Sequence, residues 1–190
     1  MSRKRWQGLI GTATGTFDPL VDLPRQTGQA IAADDLLSLE RLYYREATLE
    51  QKLLPGVEQY LAEASDLGLR RAIASSSSRK WVMEHLERFG IAARFDAVVC
   101  KEDVRHTKPD PELYSLALER LGASAQQAIA LEDSSNGIRA AKAAGIFCVA
   151  VPNPMTADLD LSLADLRLES LQAMPLSELI MHFRRPNSRH

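Results

Sequence analysis

The spacing of apolar residues changes character at Pro55-Gly56. Before that pair, residues 36–50 are charged and rich in helix formers, with Leu37, Leu39, Leu42 and Tyr43 recurring near helical spacing. Residues 8–23 are rich in glycine and threonine and show no period. After the pair, amphipathic stretches alternate with short apolar runs. Residues 57–67 put Val57, Tyr60, Leu61 and Ala64 on one helical face and stop at Gly68. Helices over 81–89, 111–121 and 137–144 stop in the same way at Gly90, Gly122 and Gly145. Residues 71–74, 96–100, 128–131 and 147–151 are nearly all apolar and predict strands, with a weaker strand at 166–168. Strands apolar throughout, alternating with helices, predict an α/β fold with a Rossmann-like parallel sheet flanked by helices. The expected division is a small, partial helical cap over 1–52 and a core over 53–190.

In such sheets ligands sit beyond the carboxyl ends of the strands. Three groups of polar residues occupy those places. Ser75, Ser76, Ser77 and Ser78 follow the first strand, where hydroxyls and helix-start N–H groups suit an anion. Taken alone, a plain capping turn at Ser77 or Ser78 is the simpler account of them. Lys108 sits in Thr107-Lys108-Pro109-Asp110-Pro111, where the prolines stiffen the loop and hold an ammonium in place against a phosphate or oxyanion. The plainer alternative is a surface lysine beside a helix start capped by Asp110. Glu132-Asp133 ends the strand over 128–131, and adjacent carboxylates there repel unless a cation or donor is present. Mg2+ takes one or two carboxylates and completes its shell with waters and phosphate oxygens. A cap from Asp133 or Ser134 on the following helix is compatible with that role.

Composition narrows the partners. Of 190 residues, 45% are apolar and 25% charged, an ordinary balance for a globular protein. A formal net charge of -2 gives no broad electrostatic case for nucleic acid or an anionic membrane. The basic clusters Arg3-Lys4-Arg5 and Arg184-Arg185 lie at the termini and read as solvated tails. Cys100 and Cys148 fall in apolar runs without metal-ligand spacing, which predicts buried thiols in a reducing compartment. No run approaches the roughly 18 apolar residues of a membrane span, and no signal peptide is recognisable, so the expected location is cytoplasmic.

The order of Ser75 after a strand, Lys108-Pro109-Asp110-Pro111, then Leu131-Glu132-Asp133-Ser134 with Gly137-Ile138, resembles the haloacid dehalogenase superfamily. Within it the resemblance is to the beta-phosphoglucomutase-like enzymes and small sugar-phosphate phosphatases. It implies Mg2+-dependent phosphoryl transfer from a small phosphorylated metabolite. It implies that Ser75, with Ser76, binds the phosphoryl oxygens, that Lys108 steadies nucleophile and phosphoryl charge, and that Glu132 and Asp133 hold Mg2+ directly or through water.

The family's first strand carries an Asp-x-Asp-Gly-Thr motif whose first aspartate is the nucleophile. No such motif precedes Pro55. Asp34-Asp35 are adjacent and read as a cap, Asp18 follows Gly15-Thr16-Phe17 in reversed order, and Asp158-Leu159-Asp160 comes late with no glycine-threonine after it. No residue of this sequence is therefore assigned as nucleophile. In the family that strand lies between those matching residues 71–74 and 128–131. Its loss leaves backbone groups unpaired at about 1–3 kcal/mol each. Three explanations are open: a chain that starts downstream of the motif in a longer enzyme, which is the expectation adopted; closure of the two flanking strands onto each other; or occupation of the slot by another segment such as Trp6-Gln7-Gly8-Leu9-Ile10.

In mutase-like relatives a basic cap residue grips a second phosphate. The matching stretch Ile10-Gly11-Thr12-Ala13-Thr14-Gly15 has none, which favours monophosphate hydrolysis, while Tyr43, Tyr44 and Arg45 could face substrate from the cap. The leading expectation is a Mg2+-dependent phosphatase, inactive as the 190-residue chain and a monomer or weak homo-oligomer. The alternatives are a non-catalytic phosphate- and metal-binding family member, or a structural partner subunit that completes its sheet with another chain.

Overall fold

The computed structural model describes residues 51–184, together with Arg25, Gly28, Ala32 and Asp35. The chain divides into two units, Met1–Ala13 with Leu54–His190, and Thr14–Leu53, and every element described below belongs to the first. The expected cap helix, the basic cluster Arg3-Lys4-Arg5, Asp18, Asp34, Thr12, Thr14, Tyr43, Tyr44, Arg45 and the segment from Trp6 to Ile10 lie outside the described residues.

Among the described residues, ten α-helices and strands follow one another: α1 (Val57–Asp66), β1 (Ala72–Ala74), α2 (Arg79–Arg88), β2 (Ala97–Val99), α3 (Glu112–Leu121), β3 (Ile129–Glu132), α4 (Ser135–Ala143), β4 (Phe147–Ala150), β5 (Leu166–Arg167) and α5 (Leu176–Arg184). All ladders among the described residues are parallel. β1 pairs with β2 from Ala72 opposite Ala97 to Ala74 opposite Val99. β3 pairs with β4 from Ile129 opposite Phe147 to Glu132 opposite Ala150, and β4 pairs with β5 at Val149–Leu166.

Helix boundaries follow their caps. α2 starts at Arg79, two residues before the expected Trp81, because Ser78 Oγ accepts the Trp81 N–H at 3.3 Å. α4 starts at Ser135 rather than Gly137, because Ser134 Oγ accepts the Gly137 N–H at 3.1 Å. Four of the strands are one or two residues shorter than their apolar runs, and β3 keeps its length but is shifted by one residue to end at Glu132. At Arg71, for instance, the N–H goes to Asp96 Oδ2 at 2.7 Å instead of a ladder. α5 went unrecognised in the sequence; it follows Pro175, buries Leu176 and Leu179, and packs on α1. Arg184 is thus not part of a tail: it is the last residue of α5, and it is exposed.

β4 has partners on both sides and is buried on both faces. Cys148 and Ala150 join one core cluster with Tyr114, Ala130, Ile138 and Ile146, while Val149 joins another with Tyr60, Leu171, Leu176 and Leu179. Cys100 and Cys148 are unoxidised and fully buried, as expected, and burial first, with neighbouring acidic charge after it, pushes the Cys148 thiol up to about 12. None of the described helices is long and apolar enough to cross a membrane.

β1 and β3 are different. Among the described residues β1 pairs with β2 alone and β3 with β4 alone, so the two flanking strands have not closed onto each other. β1 is half-buried throughout, and Leu131 in the middle of β3 is 42% exposed. α3 holds the two ladders together by packing on β1, β2 and α4.

Gly56 closes the turn into α1 with φ +89°, and a Cβ there would lie 2.6 Å from the backbone at Leu171 and Gln172. Gly56→Ala is expected to destabilise by about 2 kcal/mol or more. Thermal unfolding should register this as a fall of roughly 4 °C or more in Tm.

Candidate active site

The end of β3 organises the candidate site. Strand alternation turns Ala130 inward, Leu131 outward and Glu132 inward again, so a carboxylate enters the interior with only 7% of its residue exposed. A buried charge needs partners. The Lys108 ammonium, itself 8% exposed, donates to Glu132 Oε1, and the Tyr114 hydroxyl from α3 donates to the same oxygen. The Lys108 ammonium also stands 5.1 Å from the Tyr114 ring centroid, within range of a cation–π contact. Burial first, then the Glu132 charge, holds the Tyr114 phenol well above its usual range, so it stays protonated and donates.

The other carboxylate oxygen, Oε2, lies 3.5 Å from Ser134 Oγ at the cap of α4. It presses so closely on the first turn that a Cβ on Gly137 would fall 1.8 Å from it. The helix N-terminus therefore adds its positive end to the lysine and the phenol.

Asp133 follows in the turn. Burial, and then the neighbouring Glu132 charge, raise its carboxyl above the usual aspartate range, against the opposing pull of Lys108. Asn153, in the loop after β4, donates Nδ2–H to Asp133 Oδ2 at 2.7 Å. Of the two caps considered for α4, Ser134 supplies it and Asp133 does not.

The loop carrying Lys108 is fixed at both ends. Asp103 accepts from Arg79, from Arg120 at 2.9 Å and from the Cys100 N–H at 2.7 Å, which fastens the turn after β2. Glu112 accepts the N–H groups of Arg105 at 3.0 Å and His106 at 2.8 Å, and Asp110 accepts the Glu112 N–H at 3.0 Å. His106, Asp110 and Glu112 bring possible metal-ligand atoms within 4.8 Å of one another, but they are largely exposed and these hydrogen bonds give them a structural task. The Lys108–Pro109 peptide bond is cis.

Ser75 lies just past β1. Its N–H donates to Val99 O at 2.9 Å, and its Oγ accepts the Ser77 N–H at 3.1 Å. Ser76 is half-buried beside it. Lys108, Glu132 and Asp133 thus form one group at the end of β3, whereas the hydrogen bonds of Ser75 stay within its own turn and the β1–β2 ladder. Asp160 is spent on a local turn, its Oδ1 accepting the Ser162 N–H at 3.0 Å. Tyr114, Gly137 as a contact of Glu132, and Asn153 were not singled out from sequence. Tyr114 looks like one more apolar position of α3, and only the glycine inside α4, against helix propensity, was a usable sign.

Residues 19–151 match the family described as haloacid dehalogenase-like hydrolase. YhcW of Bacillus subtilis (strain 168) is 43% identical over 182 residues, covering 96% of this chain and 82% of YhcW. Hexitol phosphatase B of Escherichia coli (strain K12) is 34% identical over 170 residues, covering 86% of this chain and 76% of that protein. Among solved structures, a CbbY variant from Rhodobacter sphaeroides in complex with xylulose-(1,5)bisphosphate superposes with a TM-score of 0.69 at 29% identity, over 90% of this chain and 79% of its own.

Two expectations test the buried group. Lys108→Met leaves the buried Glu132 carboxyl without its ammonium partner, and should cost about 3–5 kcal/mol in denaturant unfolding. The double variant Lys108→Met/Glu132→Gln should recover much of that loss. Gly137→Ala, which in an ordinary helix interior stabilises by about 1 kcal/mol, is expected here to lower Tm because its methyl meets the Glu132 carboxylate.

Proposed function

The chain belongs to the haloacid dehalogenase-like hydrolase family, and we propose that it is the phosphate-holding core of a Mg2+-dependent phosphatase acting on a small phosphate monoester. The observation that carries this reading is the buried Lys108–Glu132–Tyr114 group with Asp133 beside it at the carboxyl end of β3.

The donor set suits a hard cation. Two adjacent carboxylates meet there without sulfur or imidazole, and Asp133, half-buried, has no ion pair of its own among the described residues. Asp133 would hold Mg2+, and Glu132, whose Oε1 already serves Lys108 and Tyr114, would support it from behind. The bound ion supplies charge neutralisation at the phosphoryl oxygens.

The protein's own groups do the rest. Lys108 carries three N–H donors and spends one on Glu132, which leaves others for a phosphoryl oxygen. Glu132 and Tyr114 fix the position of that ammonium in advance, so no reorganisation is needed when substrate arrives. Ser75 accepts from Ser77 and keeps its own hydroxyl hydrogen to donate to the phosphoryl group, with Ser76 next to it. The attacking carboxylate is placed on an Asp-x-Asp-Gly-Thr strand that these 190 residues do not contain, seated between β1 and β3. That β1 and β3 each have a single ladder partner among the described residues supports a strand in that position.

The activity in the name of hexitol phosphatase B, and the sugar bisphosphate bound to the CbbY variant, support a phosphorylated sugar or similar metabolite as substrate. The absence of Arg and Lys from residues 10–15 favours a monophosphate. We place the protein in the cytoplasm, where its two buried thiols stay reduced. A non-catalytic phosphate and metal binder is the second reading, favoured by the same missing motif.

The 190-residue chain is expected to show no turnover of a generic phosphate ester above background. Joining an Asp-x-Asp-Gly-Thr strand ahead of Met1 should give Mg2+-dependent hydrolysis on the order of 10³-fold higher or more, lost again when the first aspartate becomes asparagine. Failure to gain activity in a folded fusion favours the non-catalytic reading. Mg2+-dependent turnover by the unaltered chain that survives Asp18→Asn and Asp160→Asn would overturn the assignment of the nucleophile.

A further inference from the structure

The loop after β4 holds one side chain with unusual firmness. Asn153 donates its backbone N–H to Thr156 Oγ at 2.9 Å, and its carbonyl accepts the Thr156 N–H at 3.0 Å. Thr156 is 1% exposed, so this pair of bonds is anchored in the interior. The side-chain carbonyl Oδ1 accepts the Met155 N–H at 2.8 Å. With Oδ1 engaged as an acceptor, the amide has one orientation, and its Nδ2 faces Asp133 Oδ2 at 2.7 Å. Pro152 and Pro154 flank Asn153 and stiffen the loop further.

We propose that Asn153 is a positioning residue: it holds one oxygen of Asp133 so that the other is presented to a divalent cation. This inference rests on the metal-binding reading above and adds to it a residue from a different loop.

The chemistry distinguishes this from ordinary loop anchoring. Glu132 receives an ammonium and a phenol, whereas Asp133 receives a neutral amide that fixes its geometry and, among the described residues, no ion pair of its own. A half-buried carboxylate held in that way has one oxygen oriented and the other left to face a cation. Partners standing behind metal ligands fix their orientation, and their removal costs on the order of 10–100-fold in metal affinity.

The test uses the full 190-residue chain with Mn2+ as a paramagnetic probe, binding read by water-proton relaxation and folding by thermal unfolding without metal. Asn153→Leu is expected to weaken Mn2+ binding by about tenfold while the metal-free Tm stays close to that of the parent. Asn153→Ser, which keeps the turn but cannot reach Asp133, should do the same and serves if the leucine variant does not fold. Adding Asn153→Leu to Asp133→Asn should weaken binding no further, because Asn153 acts through Asp133. Parent-like Mn2+ affinity in the folded Asn153 variants, or an additional loss on top of Asp133→Asn, overturns the inference. If Asp133→Asn itself binds Mn2+ like the parent, the metal reading falls and the role of Asn153 falls with it.

Discussion

A carboxylate carried to the interior at the end of a strand sets the terms for everything around it. Left alone, the Glu132 charge would be costly enough to unfold a marginally stable chain or to force its own protonation. The fold meets that requirement from three directions, with the Lys108 ammonium, the Tyr114 hydroxyl and the first turn of α4. Each of these imposes a further condition. Lys108 reaches inward only if its loop is held, which the bonds of Glu112 and Asp103 accomplish. Tyr114 needs α3 to lie across the ladders, and the approach of α4 needs a residue without a side chain at Gly137. The buried pair is thus weak evidence for stability as such and strong evidence for a fixed arrangement of charge.

That arrangement sits beside a discontinuity in the sheet. β4 shows what a strand with two neighbours looks like in this protein: it is buried on alternate faces by two different clusters. β1 and β3 each have one neighbour among the described residues, and their outward edges coincide with half-buried alanines and an exposed leucine. Such edges are ordinarily protected by charge, proline or a covering element, and Ala72, Ile73, Ala74 and Leu131 carry neither charge nor proline. Their composition is that of central strands, and it accords with a further strand in the proposed slot.

Much of the architecture was readable because it depends on local signals. Apolar runs of four or five residues, helices ended by Gly68, Gly90, Gly122 and Gly145, and serines before helices all act within a few positions of themselves. α5 escaped because its apolar residues face a partner helix far away in sequence and no glycine marks its end. The site was readable in part for the same reason. Lys108, Glu132 and Asp133 betray themselves by standing just past apolar runs. Tyr114 and Asn153 do not, since their meaning lies in which oxygen they touch across 18 and 20 residues of chain. Nothing about Asn153 in isolation separates it from any asparagine between two prolines.

The two carboxylates at the end of β3 carry different chemistry despite their adjacency, and the difference follows from their partners. Glu132 faces inward, is paired with a full positive charge, and serves as the counter-ion that holds Lys108 in place. Asp133 is offered only an oriented amide, and burial beside a second negative charge raises its proton affinity. A proton and a divalent cation compete for such a group. Strand alternation, which points one residue in and leaves the next to the turn, is enough to create this asymmetry. A pair of like residues thereby becomes one structural anchor and one candidate cation ligand, and the separation of roles requires only that β3 end where it does.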